Sequence, residues 1–222
     1  MNRQIEIRTT ADGSKTLYLP EIDENYHSCH GAIQEANHVF IKNGLSEFKE
    51  KQSISVFEMG FGTGLNALLT SVWSEKNEIH VDYEGIEAYP IPPELCFQLE
   101  YPECLSVNKK NDFEKMILAE WNQTVQIAHF FKIKKNDSKI ENWSSDKKFD
   151  IVFFDAFGPR VQNEVWEIDV LKKMFDVLLP GGILVTYCAQ GQFKRNLKSL
   201  GFELESLPGP PGKREMIRAR KN

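Results

Sequence analysis

Strand-like and helix-like segments alternate along the chain from about residue 53 onward. Apolar runs such as SISVFEMG and FDIVFFDAFG alternate with amphipathic segments such as VWEIDVLKKMFDVLL. Alternation at this spacing is typical of a mostly parallel sheet with helices on both faces. The last two strand-like segments are separated only by the Pro- and Gly-rich LPGPPGK, which predicts an antiparallel pair at one edge. We therefore expect an α/β domain over residues 51–222.

Residues 1–50 have a different pattern, which predicts an N-terminal extension packed on that domain. The segment IEIRTTADGSKTLYL alternates on both sides of Asp12 and Gly13, as a β-hairpin with a tight turn does. Ser28 precedes a helix-like segment that stops at Gly44, and serine is a favoured helix N-cap. We therefore expect a hairpin and a helix in this extension.

A glycine-rich turn, Gly60-x-Gly62-x-Gly64, joins the first strand of the domain to a helix. Glycines permit positive φ and let a ligand approach the backbone, and the N–H groups of the helix N-terminus face that ligand. In an open parallel sheet, ligands bind at the carboxyl ends of the strands. The turn lacks the GK[ST] of a P-loop, and Asn66 two places after Gly64 differs from the dinucleotide fingerprint GxGxxG.

Two carboxylates near the ends of the first two strands narrow the choice of ligand. Glu58 lies inside the first strand, where an unpaired charge is costly and a cationic ligand would offset it. S-adenosylmethionine carries an ammonium and a sulfonium, whereas the pyrophosphate of NAD would be repelled. Glu87 ends the second strand and is placed to accept hydrogen bonds from ribose hydroxyls, a role for which Glu84 competes. The alternative is a plain tight turn with solvated glutamates.

The most apolar strand-like segment ends in a carboxylate, Asp155, at the expected mouth of the crevice. The next residues, Phe157, Gly158 and Pro159, predict a rigid loop that carries an aromatic ring. The alternative role for Asp155 is to cap the following helix or turn. Closer to the C-terminus, Lys213 and Arg214 follow a stiff turn, where they either bind phosphates or pair with structural carboxylates.

Composition and charge exclude several classes of protein. A net charge of −5 argues against a generally basic nucleic-acid binder, although eight basic residues and only three acidic ones follow residue 190. The four cysteines and five histidines form no CxxC or HExxH pattern, so we expect reduced thiols and no metal. Because no apolar run approaches the length of a membrane span or a signal peptide, we expect a cytoplasmic protein.

Six segments form an ordered set of motifs over about residues 26–216: YHSCHGAIQEANHVFI, FEMGFGTGLN, IEAYP, FFDAFGPRVQNEVW, PGGILVTYCAQGQFKRNL and GFELESLPGPPGKREM. This set resembles the methyltransferase portion of the MnmC family, the bifunctional tRNA 5-methylaminomethyl-2-thiouridine biosynthesis proteins. Methyltransferases in general would share only the glycine-rich turn, so the later motifs make the resemblance specific.

The resemblance implies a Rossmann-like class I methyltransferase that uses S-adenosylmethionine. In the bifunctional proteins a flavin-dependent oxidase domain follows, and because this sequence ends just after the methyltransferase motifs, we expect a stand-alone methyltransferase with no flavin and no metal. The implied reaction is methyl transfer to the amine of 5-aminomethyl-2-thiouridine at the tRNA wobble position, with a separate oxidase acting earlier. The resemblance also implies a catalytic Asp155 next to cofactor and amine, with Glu58 at the methionine end and Glu87 at the ribose. The other implied cofactor-binding residues are Gly60, Gly62, Gly64 and Asn66. The implied substrate-binding residues are Phe157, Pro159, Trp166, Tyr187, Lys213 and Arg214.

One segment departs from the family pattern, and three rival functions remain. An acidic residue is expected directly after the TVQIAHF strand near the adenine, but FKIKKND reaches Asp137 only late. An aminopropyltransferase usually has a GGGDG-like turn, which GFGTG matches poorly. A NAD-dependent dehydrogenase would tolerate Glu87 but not Glu58. A non-catalytic RNA-binding or partner-binding module would need no Asp155 to orient an amine.

Overall fold

The structure, a computed structural model, describes residues 4–222, so the first three residues of the predicted extension lie outside the described residues. The strands are β1 (Glu6–Thr9), β2 (Lys15–Leu19), β3 (Glu24–Asn25), β4 (Ser53–Met59), β5 (His80–Glu87), β6 (Thr124–Ala128), β7 (Phe131–Asp137), β8 (Phe149–Phe154), β9 (Leu178–Thr186), β10 (Phe202–Pro208) and β11 (Glu215–Lys221). The α-helices are α1 (Ala32–Ala36), α2 (Leu65–Asn77), α3 (Pro93–Phe97), α4 (Tyr101–Cys104), α5 (Lys110–Leu118), α6 (Ile168–Val177) and α7 (Gly191–Ser199). A π-helical segment, Asn37–Lys42, continues α1.

The central sheet has the strand order β10-β11-β9-β8-β4-β5-β7-β6. The five strands from β9 to β7 in this order are mutually parallel. Strands β11 and β10 are added antiparallel at one edge, and β6 is added antiparallel at the other. The predicted Rossmann-like α/β fold with an antiparallel edge pair is therefore confirmed. Because the parallel strands share one direction, the carboxyl ends of β4, β5 and β8 meet at one edge of the sheet.

Strand β8 separates two hydrophobic cores, which explains why its sequence is apolar throughout. Ile151 and Phe153 pack into the core on one face, whereas Val152 and Phe154 pack into the core on the other. This alternation follows from the period of two in a strand, and a strand covered on both faces needs apolar residues at every position. The C-terminal end of β8 therefore lies where the buried sheet meets the edge at which ligands bind.

The predicted N-terminal hairpin is present, and the extension shares a core with the sheet. Strand β1 pairs antiparallel with β2, and Gly13 in the turn has φ of 83°. Leu17, Val39 and Phe40 are buried in the same core as Phe153, and the rings of Phe40 and Phe153 lie 5.0 Å apart. The division into units at residues 50 and 51 stays a prediction.

We expect one strand over TVQIAHFFKI, but this sequence forms the whole of β6, a turn and the start of β7. The chain reverses at residues 129–130, so β6 lies antiparallel beside β7. The expectation was wrong because this turn contains no Gly, Pro, Asn or Asp. The side chain of Gln126 donates to the carbonyl oxygens of His129 and Phe131 and so supports the turn.

The predicted N-cap at Ser28 is also wrong. The helix begins at Ala32, and the backbone N–H of Gln34 donates to Asp12 Oδ2 at 2.9 Å. The Ser28 hydroxyl instead accepts a hydrogen bond from the backbone N–H of His30. The cap therefore comes from the hairpin turn, 22 residues earlier in the chain, which local sequence cannot reveal.

Candidate active site

A cavity of about 640 Å³ opens at the carboxyl ends of β4, β5 and β8. The glycine-rich turn, the end of β5 and the loop after β8 form much of its wall. The sequence-predicted residues that line it are Gly60, Gly62, Asn66, Glu87, Asp155 and Phe157. The predicted residues Glu58, Gly64, Pro159, Trp166, Tyr187, Lys213 and Arg214 are not among its lining residues.

The turn between β4 and α2 is held tightly between its two neighbouring strands. The backbone N–H groups of Gly60 and Phe61 both donate to the carbonyl oxygen of Ile86 on β5. Gly60 has φ of 89°, and a Cβ atom there would lie 2.6 Å from the backbone oxygen of Asp155. Gly60 therefore has a packing role, because it lets the loop after β8 approach the turn.

Glu87 is fixed in the cavity wall by two backbone groups. Its Oε2 accepts a hydrogen bond from Gly62 N–H at 2.9 Å, and its Oε1 accepts one from Tyr89 N–H at 2.9 Å. Glu84, the competing candidate, is buried and accepts a hydrogen bond from Asn136 instead, and it does not line the cavity. Of the two glutamates, only Glu87 is therefore in a position to meet a ligand in the cavity.

Asn66 links the two carboxyl groups that the sequence singled out. Its Nδ2 donates to Glu58 Oε1 at 2.9 Å and to Asp155 Oδ2 at 2.8 Å. Glu58 is 1% exposed and lies behind Asn66, so its predicted contact with a cofactor stays a prediction. Within residues 4–222, the buried atom Asn66 Oδ1 has no hydrogen-bond partner, whereas the side chain of Tyr83 interacts with the Glu58 carboxyl group and lowers its pKa.

Burial raises the pKa of both carboxyl groups. The pKa of Glu58 lies well above its usual range, mainly because the side chain is desolvated. Burial also raises the pKa of Asp155 to about 7, and the negative charge of Glu35 adds to this rise. The hydrogen bond from Asn66 and the positive charge of Lys213 act in the opposite direction. A cation bound in the cavity would favour the ionised form of either group.

The predicted substrate-side residues support the loop after β8. The ring of Phe157 lines the cavity and contacts the ring of Tyr26 edge-on, with centroids 5.0 Å apart. Trp166 Nε1 donates to the Phe157 carbonyl oxygen at 2.7 Å, and the Tyr187 hydroxyl donates to the Ala156 carbonyl oxygen at 2.8 Å. Trp166 and Tyr187 therefore position the loop from behind, and substrate contacts by them and by Pro159 stay predictions.

Lys213 and Arg214 lie outside the cavity. Lys213 Nζ forms an ion pair with the buried carboxylate of Glu35 and lies 3.8 Å from the centroid of the Tyr187 ring. Arg214 is exposed. For Lys213, the structural alternative of a carboxylate partner is the one observed, and phosphate binding by either residue stays a prediction.

Sequence reasoning missed the part of the cavity wall that the N-terminal extension supplies. Tyr26 and His27 line the cavity, and His27 Nε2 lies 3.0 Å from the hydroxyl of Thr63 in the glycine-rich turn. Burial lowers the pKa of His27 to about 4, so this ring is neutral at physiological pH. The motif YHSCHGAIQEANHVFI contains both residues, but nothing in its residue types predicts that they face a ligand.

The segment after β7 forms part of the cavity wall but does not supply the acidic residue expected near an adenine. Asp137 is exposed and is not a lining residue, whereas Ser138, Lys139 and Ile140 line the cavity. The Ser138 N–H donates to the Glu87 carbonyl oxygen at 3.1 Å, which joins this segment to the end of β5. A contact between this segment and an adenine stays a prediction.

Residues 4–222 contain neither a candidate metal cluster nor a candidate membrane-spanning helix. No cluster of three or more His, Cys, Asp or Glu side chains with metal-binding geometry occurs among these residues. No helix in the described part of the chain is long and apolar enough to cross a membrane.

Residues 108–222, more than half of the chain, match a family described as S-adenosyl-L-methionine-dependent methyltransferase. The chain belongs to this family. The methyltransferase is 27% identical over 216 residues to the tRNA 5-methylaminomethyl-2-thiouridine biosynthesis bifunctional protein MnmC of Leptospira interrogans. It is 28% identical over 219 residues to the same protein of Cupriavidus metallidurans. These matches cover 89% and 92% of the methyltransferase and 32% of each relative, so the chain spans about a third of the length of these curated relatives.

Solved structures show the same likeness. MnmC2 from Aquifex aeolicus superposes with a TM-score of 0.75 at 26% identity, over 98% of the methyltransferase and 70% of that chain. DesVI from Streptomyces venezuelae superposes with a TM-score of 0.53 at 11% identity, over 86% of the methyltransferase and 92% of that chain, which shows the fold alone.

The cavity of the methyltransferase fits the cationic cofactor of its family. The buried carboxyl group of Glu58 has a pKa well above its usual range, and the pKa of Asp155 is raised to about 7. Both features mark sites where a positive charge would relieve the cost of burying a carboxylate. The Glu87 carboxylate accepts hydrogen bonds from two backbone N–H groups and lines the same cavity.

Proposed function

We propose that this chain transfers a methyl group from S-adenosyl-L-methionine to the primary amine of 5-aminomethyl-2-thiouridine at the tRNA wobble position. The observation on which the proposal chiefly depends is Asp155, a carboxyl group with a raised pKa on the cavity wall at the carboxyl end of β8. The MnmC relatives, whose names specify tRNA 5-methylaminomethyl-2-thiouridine biosynthesis, support the choice of substrate.

The residues proposed to hold the cofactor surround the glycine-rich turn. Glu87 would accept hydrogen bonds from ribose hydroxyls, and backbone groups of Gly60 and Gly62 border the same cavity. Asn66 would present its unpartnered Oδ1 to the ammonium of the methionine part, with the charge of Glu58 behind it. S-adenosyl-L-methionine, when bound, supplies a methyl group that is activated by the sulfonium.

We propose that Asp155 accepts a proton from the protonated amine. An alkylamine is mostly protonated at neutral pH, and its nitrogen attacks only with a free lone pair. The Asp155 carboxylate accepts a hydrogen bond from the ammonium, takes one proton from it and leaves the lone pair free for the methyl carbon. A bond forms between nitrogen and carbon as the bond between carbon and sulfur breaks, and the proton leaves from Asp155 to solvent.

The raised pKa of Asp155 suits this role. A carboxylate with the usual pKa near 4 would bind the ammonium but would be a weak base toward it. Burial raises the pKa of Asp155 to about 7 in the protein without ligand, and the part of this rise that remains with the cofactor bound makes Asp155 a stronger base than an exposed aspartate. The remaining acceleration comes from positioning, because the loop after β8 is fixed by Trp166 and Tyr187.

The test is incubation of the purified protein with isotope-labelled S-adenosyl-L-methionine and tRNA from a strain that lacks this protein. The expected result is one labelled methyl group on the wobble nucleoside, detected by mass spectrometry of digested tRNA. The same tRNA, already converted by an active preparation, serves as a control and should take up no label.

Two other outcomes would replace the proposal. Label on a polyamine and none on tRNA would indicate a methyltransferase for small amines. Label on neither, with cofactor binding intact, would indicate another substrate class or a module that binds without catalysis. On the proposed reading, the enzyme acts in the cytoplasm and receives its substrate from a separate oxidase that acts earlier.

A further inference from the structure

A second groove lies away from the active-site cavity, between the N-terminal helical segment and the C-terminal end of α2. Its volume is about 430 Å³. Lys42 and Lys49 come from the N-terminal segment and Lys76 comes from α2, and all three line the groove and are exposed. His38 also lines it, and no aspartate or glutamate does. A groove of this charge contrasts with the net charge of −5 of the whole chain.

The three lysines of this groove have no ion pair within residues 4–222. Among the acidic residues nearby in the sequence, Glu75 pairs with Lys109 and Glu47 pairs with Arg218, whereas the exposed Glu50 and Glu78 form no ion pair within residues 4–222 and do not line the groove. Lys76 also lies in the last turn of α2, where a cation complements the helix dipole. That explanation does not extend to the other two lysines.

Four of the eight basic residues after residue 190 differ from this set because they form ion pairs. Lys194 pairs with Glu215, and Arg218 and Arg220 both pair with Glu47. Lys213 is also paired, with Glu35. The other four, Arg195, Lys198, Arg214 and Lys221, line neither the cavity nor the groove, whereas the three lysines of the groove line one concave surface.

The floor of the groove contains a buried donor without an acceptor. Trp73 is 6% exposed and lines the groove together with Ile41. Within residues 4–222, its indole Nε1 has no hydrogen-bond partner. A buried N–H without an acceptor costs free energy, and a ligand oxygen in the groove would reach this one only if the side chains around it moved.

Helix α2 sets the distance between groove and cavity. The helix begins at Leu65, directly after the glycine-rich turn, and ends at Asn77, which lines the groove. Thirteen helical residues span about 20 Å, so the groove lies about that far from the start of the helix. The N-terminal segment joins the two sites, because Tyr26 and His27 line the cavity and Lys42 lines the groove. A ligand that occupies both sites must therefore be long.

We infer that this lysine groove binds the sugar–phosphate backbone of the tRNA at a distance from the nucleotide that is methylated. The inference rests on the proposed function, since a tRNA is the long polyanion that places one base in the cavity. Lysine ammonium groups bind phosphates without reading sequence, so the groove adds affinity and orientation. It also explains how an acidic protein holds an RNA.

The test compares two triple variants with the same net charge. The groove variant is Lys42→Gln, Lys49→Gln and Lys76→Gln, and the control variant is Lys110→Gln, Lys115→Gln and Lys148→Gln, whose lysines are exposed and line neither site. In about 100 mM salt, we expect the groove variant to raise the Kd for tRNA about tenfold and the control to change it less than about twofold. The slope of log Kd against log salt should fall by about 2 in the groove variant alone.

Substrate length gives a second readout. An RNA trinucleotide centred on the target uridine does not reach a groove about 20 Å away, so the groove variant should methylate it as fast as the wild type. With full tRNA, the KM for tRNA should rise while kcat and the KM for the cofactor stay unchanged. A merely structural role of the lysines would instead change the rates with both RNAs.

The outcomes separate this inference from the proposed function. If the wild type methylates tRNA and the groove variant binds tRNA as tightly as the control variant does, the inference about the groove is wrong and the proposed function is supported. If tRNA binding depends on the groove but no nucleoside is methylated, the inference about the groove is supported and the proposed function is wrong. Absence of tRNA binding by the wild type would overturn the groove directly.

Discussion

Asp155 and Glu58 share one hydrogen-bond donor, the side-chain nitrogen of Asn66. Two buried carboxyl groups this close together are costly if both are ionised. Burial raises the pKa of both groups, which favours their neutral forms. The site without ligand is therefore prepared for a cation. This electrostatic state leads to two predictions at the scale of single residues.

The first prediction is that cofactor binding releases protons. Without ligand, the pKa of Asp155 is about 7, and a cationic cofactor would lower it by favouring the carboxylate. Binding at about pH 6.5 should therefore release part of a proton, and affinity should fall as the pH drops below 7. Calorimetric titrations in buffers with different ionisation enthalpies measure the release. In Asp155→Asn the release should decrease, and a release equal to that of the wild type would exclude Asp155 as its source.

The second prediction concerns the stability of the protein without ligand. The pKa of Asp155 is raised from its usual value near 4 to about 7 on folding, so this group destabilises the folded protein increasingly as the pH rises from 4 to 7. Asp155→Asn removes this cost and should raise the free energy of unfolding by about 4 kcal/mol at pH 8 and by about 1–2 kcal/mol at pH 5. Urea denaturation at both pH values measures it.

The exposed Asp146 provides the control for this stability measurement. Asp146→Asn should change the free energy of unfolding by less than about 0.5 kcal/mol at either pH. If Asp155→Asn were no more stable than the wild type at pH 8, the burial cost assigned to Asp155 would be wrong.

At the scale of elements, the turn between β4 and α2 fixes the loop after β8. The backbone N–H of Asp155 donates to the Met59 carbonyl oxygen at 2.9 Å, and Gly60 leaves room for the Asp155 backbone. The turn therefore both borders the cavity and sets the position of the proposed catalytic carboxyl group. A change in the turn should disturb stability and catalysis together.

Gly60→Ala tests this coupling. The added methyl group would lie 2.6 Å from the Asp155 backbone oxygen, and the alanine would have to adopt the positive φ of Gly60. We therefore expect a loss of about 3 kcal/mol in the free energy of unfolding. The matched control is Gly181→Ala, where φ is 77° but no atom lies within 4 Å of the added carbon. The control should lose about 1 kcal/mol and keep its methyl-transfer rate. Equal losses in both variants would show that only the backbone conformation matters at Gly60.

Patterns within elements predicted more than contacts between elements. The alternation of strands and helices, the antiparallel edge pair and the hairpin at Gly13 all follow from local periodicity and turn residues, and the structure contains them. The turn inside TVQIAHFFKI carries no local signal, and Asp12 caps a helix that begins 20 residues later. Such contacts depend on tertiary packing, which a local pattern does not encode.

At the scale of the whole molecule, the site is assembled from distant parts of the chain. Strand ends predicted the positions of Glu87 and Asp155, because the carboxyl ends of parallel strands share one edge. The contribution of Tyr26 and His27 was not predictable, since the N-terminal extension reaches the cavity only after its own helix packs on the sheet core. The same extension borders both the cavity and the lysine groove.

The most direct test of the central claim is the single-turnover rate of methyl transfer to undermodified tRNA in the wild type and in Asp155→Asn. The account predicts a rate at least about 100-fold lower in the variant, with the Kd for S-adenosyl-L-methionine changed only a few-fold. An unchanged rate in Asp155→Asn, on folded protein that still binds the cofactor, would contradict the role assigned to this carboxyl group.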